Sequence, residues 1–126
     1  MFAPTPFGVM LKESREYAKL SQFDLATGLG KTAQYISNIE KGKNNSPPDD
    51  EAILKLISLL GLKGSEAEKF RFLAYADRGM LPPEIFRYVF ECPPLVGLIN
   101  FAVSNGIPND YWDSVFNGLL NDRKAD

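Results

Sequence analysis

Short polar side chains recur between residues 32 and 38, at a spacing that can place them together on the outer side of one helix. Hydroxyl and carboxamide groups of this size can hydrogen-bond to the edges of DNA bases. Gln34 is the first candidate for reading a base, because a carboxamide can bond N6 and N7 of adenine together, and Asn38 is the second. Thr32 and Ala33 carry methyl groups suited to a thymine methyl, and Ser37 could reach a base or a phosphate. The candidate base-reading set is Thr32, Ala33, Gln34, Ser37 and Asn38.

Positive charge surrounds this set although the chain as a whole carries a net charge of −2. The segment 31–43 holds Lys31, Lys41 and Lys43 against Glu40, a local excess of +2. Contacts to phosphate supply most of the affinity of a DNA-binding protein, whereas contacts to bases supply its sequence preference. The candidate phosphate-binding groups are Gln22, Lys31, Tyr35, Lys41, the Gly42 backbone, Lys43 and Asn44.

Three of these side chains have a second interpretation or a second role. Gln22 could bond a phosphate and also brace Gln34. Tyr35 is as well suited to packing as to a phosphate contact. Lys31 could either extend along the protein surface or reach a phosphate.

Two short helices joined by a tight turn must position these groups, which is the layout of a helix-turn-helix DNA reader. Ser21 followed by Asp24 fits a capping box at the start of the first helix, and Thr32 is a good N-cap for the second. Gly30 lies between them, where the chain must turn. The apolar residues expected to face inward are Leu25, Ala26, Leu29, Ile36 and Ile39.

Residues 20–43 resemble the Xre/Cro–cI family of bacterial and phage regulators, with no gap in the alignment. The resemblance extends to flanking helices and covers roughly residues 7–62. It implies an all-α, lambda-repressor-like, five-helix DNA-binding domain. The residues that carry it are Gln22, Ala26, Gly30, Tyr35-Ile36-Ser37 and the ending Ile39-Glu40-Lys41-Gly42-Lys43.

The same resemblance implies a role for Glu40. A carboxylate at the end of a recognition helix would repel phosphate, and in similar proteins it pairs inward with an Arg of the first helix. Arg15 occupies the matching position. We therefore expect an Arg15–Glu40 ion pair that is structural and does not read DNA.

The remaining pattern is helical throughout, since no segment shows the alternation typical of a strand. Cap signals and breakers predict a first helix over about 6–19 and a fifth over about 65–78. We predict a DNA-binding domain of residues 1–79, with the motif at 21–43, followed by a C-terminal helical extension of residues 80–126.

The extension is rich in aromatic residues and ends in an amphipathic helix. It could complete a single core with the first domain, but we favour dimerisation. Two recognition helices about 34 Å apart can read a palindrome and combine their affinities. The candidate dimerisation residues are Leu95, Ile99, Trp112, Val115, Phe116 and Leu119.

Composition excludes several classes of function. The chain has no His and a single Cys, Cys92. The absence of His removes His-based acid–base catalysis and most catalytic metal sites, and one Cys cannot form an intramolecular disulfide. The sequence shows no long uncharged apolar run and no secretory signal. We therefore expect a cytoplasmic protein that is not an enzyme, has no cofactor and binds no membrane.

The sequence thus predicts a sequence-specific transcriptional regulator, a repressor that binds a palindromic operator in double-stranded DNA as a homodimer through helix 32–41. The alternative is an antitoxin or protein-interaction module whose C-terminal half binds a protein partner. Residues 64–126 hold 6 Lys and Arg against 9 Asp and Glu, which leaves room for a basic partner.

Overall fold

A computed structural model describes residues 3–43 and 47–125, and every element assigned within those ranges is an α-helix. The all-α prediction is confirmed. In chain order the helices are α1 (Pro6–Tyr17), α2 (Gln22–Leu29), α3 (Ala33–Lys41), α4 (Asp50–Leu60), α5 (Gly64–Ala76), α6 (Pro83–Phe90), α7 (Pro93–Asn105) and α8 (Asn109–Ala125).

Two helices end earlier than the sequence predicts. α1 stops at Tyr17 because Lys19 adopts a left-handed conformation with φ of 61°, and the N–H of Leu20 then donates to the Arg15 carbonyl. α5 spans Gly64–Ala76, and the N–H of Gly79 donates to the carbonyl of its last residue. In both places the helix ends in a turn, which helical periodicity alone does not locate.

The chain divides into two compact units, Met1–Pro83 and Glu84–Asp126. Helices α1 to α5 lie in the first unit and form one apolar core. Phe7 and Phe70 meet edge to face at its centre, with ring centroids 4.9 Å apart. The buried core side chains are Phe7, Leu11, Leu25, Ala26, Leu29, Ile36, Ile39, Ala52, Ile53, Leu56, Leu60, Phe70, Ala74 and Tyr75.

α1 and α3 approach each other closely at Gly8. A Cβ atom built on Gly8 would lie 2.5 Å from the carbonyl oxygen of Ile39. Only glycine therefore lets the first turn of α1 pack against the backbone of α3. This contact fixes the distance between the helix that opens the domain and the helix that carries the candidate base-reading residues.

The second unit contains α7 and α8 and nearly all of α6. None of its side chains that the structure describes, from residue 84 to residue 123, is buried. Large apolar side chains are exposed along all three helices, from 37% at Val96 to 77% at Val103. Monomeric proteins rarely expose this much apolar surface without a partner.

We predict that Gly8→Ala destabilises the first unit by about 1–3 kcal/mol, because the added methyl group must push the α1 and α3 backbones apart. The measurement is urea-induced unfolding followed by circular dichroism. Gly118→Ala is the matched control, since apart from its chain neighbours and the backbone of its own helix no described atom lies within 4 Å of its Cβ position on α8. Equal stability of the two variants would show that the α1–α3 contact is not tight.

Candidate nucleic-acid interface

Side-chain caps set the geometry of α2 and α3. The Ser21 hydroxyl accepts from the Asp24 N–H at 2.9 Å, and the Asp24 carboxylate accepts from the Ser21 N–H at 3.0 Å. These hydrogen bonds, the backbone one foremost, lower the pKa of Asp24. Gly30 ends α2 in the left-handed conformation, and the Thr32 hydroxyl accepts from the Tyr35 N–H at 3.2 Å to open α3. A three-residue turn therefore joins two capped helices, as the sequence predicts.

One carboxylate joins α1, α2 and α3. Glu40 accepts from Arg15 Nε at 2.7 Å and from Arg15 Nη2 at 3.1 Å. The Gln22 amide donates to the same carboxylate at 3.0 Å, and Arg15 Nη1 donates to the Leu20 carbonyl at 2.9 Å. The Glu40 side chain is only 3% exposed. The hydrogen bond to Glu40 raises the pKa of Arg15.

The ion pair expected between Arg15 and Glu40 is thus present, and a sequence expectation about Gln22 needs correction. The hydrogen bonds of Gln22 and Gln34 go to different partners and do not join the two side chains, because Gln22 Nε2 donates to Glu40 and Gln34 Nε2 donates to Asn38. A carboxamide nitrogen carries two hydrogens, so a second N–H of Gln22 is left for an outside acceptor. Gln22 therefore sits at the start of α2 as a link to α3.

Gln34 and Asn38 form a pair on the outer side of α3. Gln34 Nε2 donates to Asn38 Oδ1 at 2.8 Å. This leaves Gln34 with its oxygen and one N–H, which are the two groups that a bidentate contact with adenine uses. Asn38 takes part in this pair through its oxygen, so both N–H groups of its Nδ2 are left to donate to other acceptors. The hydrogen bond holds the Gln34 side chain in place before any base arrives.

The other members of the base-reading set are placed differently. Thr32 is exposed, and because its hydroxyl caps α3 its methyl group is the part suited to a base contact. Ala33 is half-buried. The expectation that Ser37 faces outward is wrong, since the residue is 8% exposed. The inward side of α3 is wider than its two Ile residues indicate, because Ser37 and Glu40 are buried with them.

The structure brings two members of the phosphate-binding set together. The Lys31 ammonium lies over the Tyr35 ring, 5.5 Å from its centroid. Tyr35 is half-buried, and burial raises the pKa of its phenol. Lys41 and Lys43 are exposed near the end of α3. Asn44 lies outside the described residues.

Gly42 is glycine for a structural reason. It ends α3 with φ of 81°, and a Cβ atom there would lie 2.1 Å from the Ala3 carbonyl oxygen. Its N–H donates to Ile39, and the N–H of Lys43 donates to Asn38. Because its only backbone donor is already used by the helix cap, we remove Gly42 from the phosphate-binding set.

Arg78 makes contacts in the first unit that the sequence analysis missed. Its Nη2 group donates to the Pro47 carbonyl at 3.0 Å and also to the Pro48 carbonyl. The partners lie about 30 positions apart in the chain, and no local pattern marks such a contact. Arg78 thereby ties Pro47 and Pro48, which precede α4, to the chain that follows α5.

Comparison with known proteins agrees with this geometry. The sequence pattern that defines the helix-turn-helix domain family matches residues 6–70, just over half of the chain. No curated protein and no solved structure matches the chain.

The described residues contain no candidate membrane helix and no candidate metal site. No helix among them is long and apolar enough to cross a membrane. In the same part of the chain, no group of three or more Cys, Asp and Glu side chains is arranged to hold a metal ion.

We predict that Glu40→Ala destabilises the first unit by about 3–5 kcal/mol, because it leaves the Arg15 guanidinium, whose side chain is 12% exposed, without its carboxylate partner. Thermal unfolding followed by circular dichroism measures the loss. Glu51→Ala is the control, since Glu51 forms an exposed pair with Lys55 at 3.4 Å and such pairs contribute about 0.3–0.5 kcal/mol. An unchanged melting temperature for Glu40→Ala would contradict the structural role assigned to the pair.

Proposed function

Because the chain belongs to the helix-turn-helix domain family, we propose that it is a cytoplasmic regulator that recognises a specific DNA sequence. α3 enters the major groove and α2 crosses the sugar–phosphate backbone, as in other proteins with this motif. The observation that carries the proposal is the exposed Gln34–Asn38 pair on a helix whose other side is anchored through Glu40. Membership of the Xre/Cro–cI group is part of this proposal.

Base reading is assigned to the outer side of α3. Gln34 bonds an adenine through its side-chain oxygen and one of its amide N–H groups. Its other N–H remains hydrogen-bonded to Asn38 Oδ1. Asn38 donates to the neighbouring base pair. The methyl groups of Thr32 and Ala33 contact thymine. Because Gln34 and Asn38 hold each other in place, little side-chain entropy is lost on binding.

Phosphate contacts are assigned to the residues that flank this set. Gln22 offers the free N–H of its amide at the start of α2, where the helix dipole also favours an anion. Lys31 and Tyr35 act as a pair, since the ammonium already lies over the ring. Lys41 and Lys43 contact the backbone beyond the end of α3, and the assignment of Asn44 stays a prediction.

The charge balance favours binding by two copies. The chain carries 14 Lys and Arg against 16 Asp and Glu, so each copy offers few positive charges to the backbone. Since each neutralised phosphate adds to affinity through counterion release, a single copy binds only moderately. Two copies on a palindromic operator combine their affinities. The proposed regulator is a repressor that acts by occupying such a site.

The second unit supplies the pairing surface in this proposal. It exposes six aromatic side chains, each between 55% and 73% exposed: Phe86, Tyr88, Phe90, Phe101, Tyr111 and Phe116. At roughly 200 Å² for each such side chain, they alone leave on the order of 700 Å² exposed. With the exposed aliphatic side chains added, the apolar area exceeds the ~800 Å² per partner of a standard interface.

A second copy fits this surface because residues 93–109 contain no charged side chain. In a two-fold interface each patch meets itself, and a charge-free helix does so without repulsion between like charges. Leu95, Ile99, Trp112, Val115, Phe116 and Leu119 are the proposed pairing residues. Ile99 and Trp112 also line an open groove of about 380 Å³ between α7 and α8, which can receive an apolar side chain.

We predict that Gln34→Ala relaxes base preference at one position of each half-site, at a cost of about 1–3 kcal/mol on the preferred sequence. Lys43→Ala is the matched comparison. It should weaken binding to all sequences alike and reduce the slope of log K against log salt concentration by about one. Fluorescence anisotropy on the preferred duplex and on a scrambled duplex measures both. Direct base reading by Gln34 is wrong if its loss lowers affinity equally for the two duplexes.

We predict that Phe116→Glu and Ile99→Glu turn a dimer into a monomer, because a buried unpaired carboxylate is costly. Sedimentation equilibrium measures the state of association. Tyr17→Glu is the control, since Tyr17 is 91% exposed and lies in the first unit, and this variant should stay dimeric. A wild-type protein that is monomeric at micromolar concentration would contradict the pairing proposal.

A further inference from the structure

The helices of the second unit do not form a core within one copy. Among the described residues, no two of α6, α7 and α8 pack along one another, whereas every helix of the first unit packs against at least one other. None of the described side chains from residue 84 to residue 123 is buried. Most of the stability of a helix in a protein comes from the packing of its apolar side. The apolar sides of α7 and α8 therefore need a surface that a single copy does not supply.

One apolar groove lies where α7 turns into α8. Its volume is about 380 Å³. The half-buried Trp112 forms one wall, and its ring meets Tyr111 edge to face with centroids 5.2 Å apart. No lining residue is charged, so the groove suits an apolar group. The other lining residues are Ile99, Ala102, Val103, Gly106 and Ile107.

Phe116 offers such a group beside the groove but does not line it. It follows Trp112 by four residues, so both side chains lie on the same side of α8. The Phe116 side chain is 63% exposed. When a groove and an exposed ring lie on the same side of one helix, a two-fold axis beside that helix can place each ring in the other copy's groove. Such a contact closes after two copies and forms no open chain.

We propose that Phe116 of each copy fills the groove beside Trp112 of a second copy, and that α7 and α8 acquire a core only in this interlocked pair. This inference rests on the proposed function, which assigns pairing to the second unit. A small apolar ligand would fill the groove but would leave Phe116, Val115 and Leu119 exposed on the same helix. A second copy covers these side chains as well, and it brings no charge to the groove.

The first test removes the ring. Phe116→Ala should raise the dissociation constant of the dimer about a thousandfold, because each dimer loses the buried ring twice. Sedimentation equilibrium on the full-length chain measures this constant. Phe23→Ala is the matched control, since it removes the same ring from a position on α2 that is 69% exposed. This control should dimerise like the wild type.

A mixing experiment determines whether ring and groove come from different copies. Ala102→Phe fills the groove from its own chain, and Phe116→Ala removes the ring. Each variant alone should be monomeric at a concentration where the wild type is dimeric. Their mixture should form a one-to-one dimer, because the open groove receives the intact ring and the filled groove meets the alanine. Circular dichroism should show the first unit melting as in the wild type, since its core contains neither residue.

Trp112 reports on the groove directly because it is the chain's single tryptophan. Its fluorescence should shift to longer wavelength when the wild type is diluted below its dissociation constant, as water replaces the Phe116 ring. Phe116→Ala should show the shifted emission at every concentration. Phe23→Ala should follow the wild type.

Three results would overturn the inference and leave dimerisation intact: a mixture that associates no better than its components, equal dissociation constants for Phe116→Ala and Phe23→Ala, or Trp112 emission that does not change when the wild-type dimer dissociates. The other proposed pairing residues can still join two copies in each of these cases. Wild-type protein that is folded but monomeric at micromolar concentration would instead contradict the pairing proposal and this inference together.

Discussion

The buried carboxylate of Glu40 determines how α3 is held. Burying a charged group is costly unless hydrogen bonds compensate for the lost water. Here one carboxylate accepts from two nitrogens of Arg15 and one of Gln22, so α1, α2 and α3 are joined by directional bonds as well as by apolar packing. Among the described residues, no buried polar side-chain atom is left without a partner. The outer side of α3 is thereby kept at a fixed angle to its neighbours, with the Gln34–Asn38 pair exposed.

The two units differ in what they bury and in what they expose. The first unit has a closed core and concentrates positive charge in the segment 31–43. The second unit has no described buried side chain, and its central helix α7 has no charge. In the proposed regulator these differences are complementary, because the first unit supplies base contacts with few phosphate contacts and the second supplies the association that compensates for them. Arg78 adds a contact that is distant in the sequence, since it donates to the Pro47 and Pro48 carbonyls that precede α4.

The sequence predicts what short-range rules control. The residue types of Ser21 and Thr32 predict the two helix caps, and the family resemblance implies the Arg15–Glu40 pair. The burial of Ser37, the contacts of Arg78 and the partner of Gln22 depend on packing between residues that are distant in the sequence. Ser37 is buried together with Glu40, so the inward side of α3 is wider than its apolar residues indicate. The contacts of Arg78 were not foreseen because an arginine after a helix is equally consistent with a solvated side chain. The sequence predicts the position of Gln22 at the start of α2, but it does not predict that Gln22 donates to Glu40.

The most direct test of the central claim, that α3 reads a DNA sequence, is selection of the purified wild-type protein against random duplex DNA, followed by sequencing of the retained fraction. We expect an enriched palindrome whose half-sites lie about one helical turn apart. No enrichment from protein shown to be folded would contradict the account, and would direct attention to protein partners of residues 80–126.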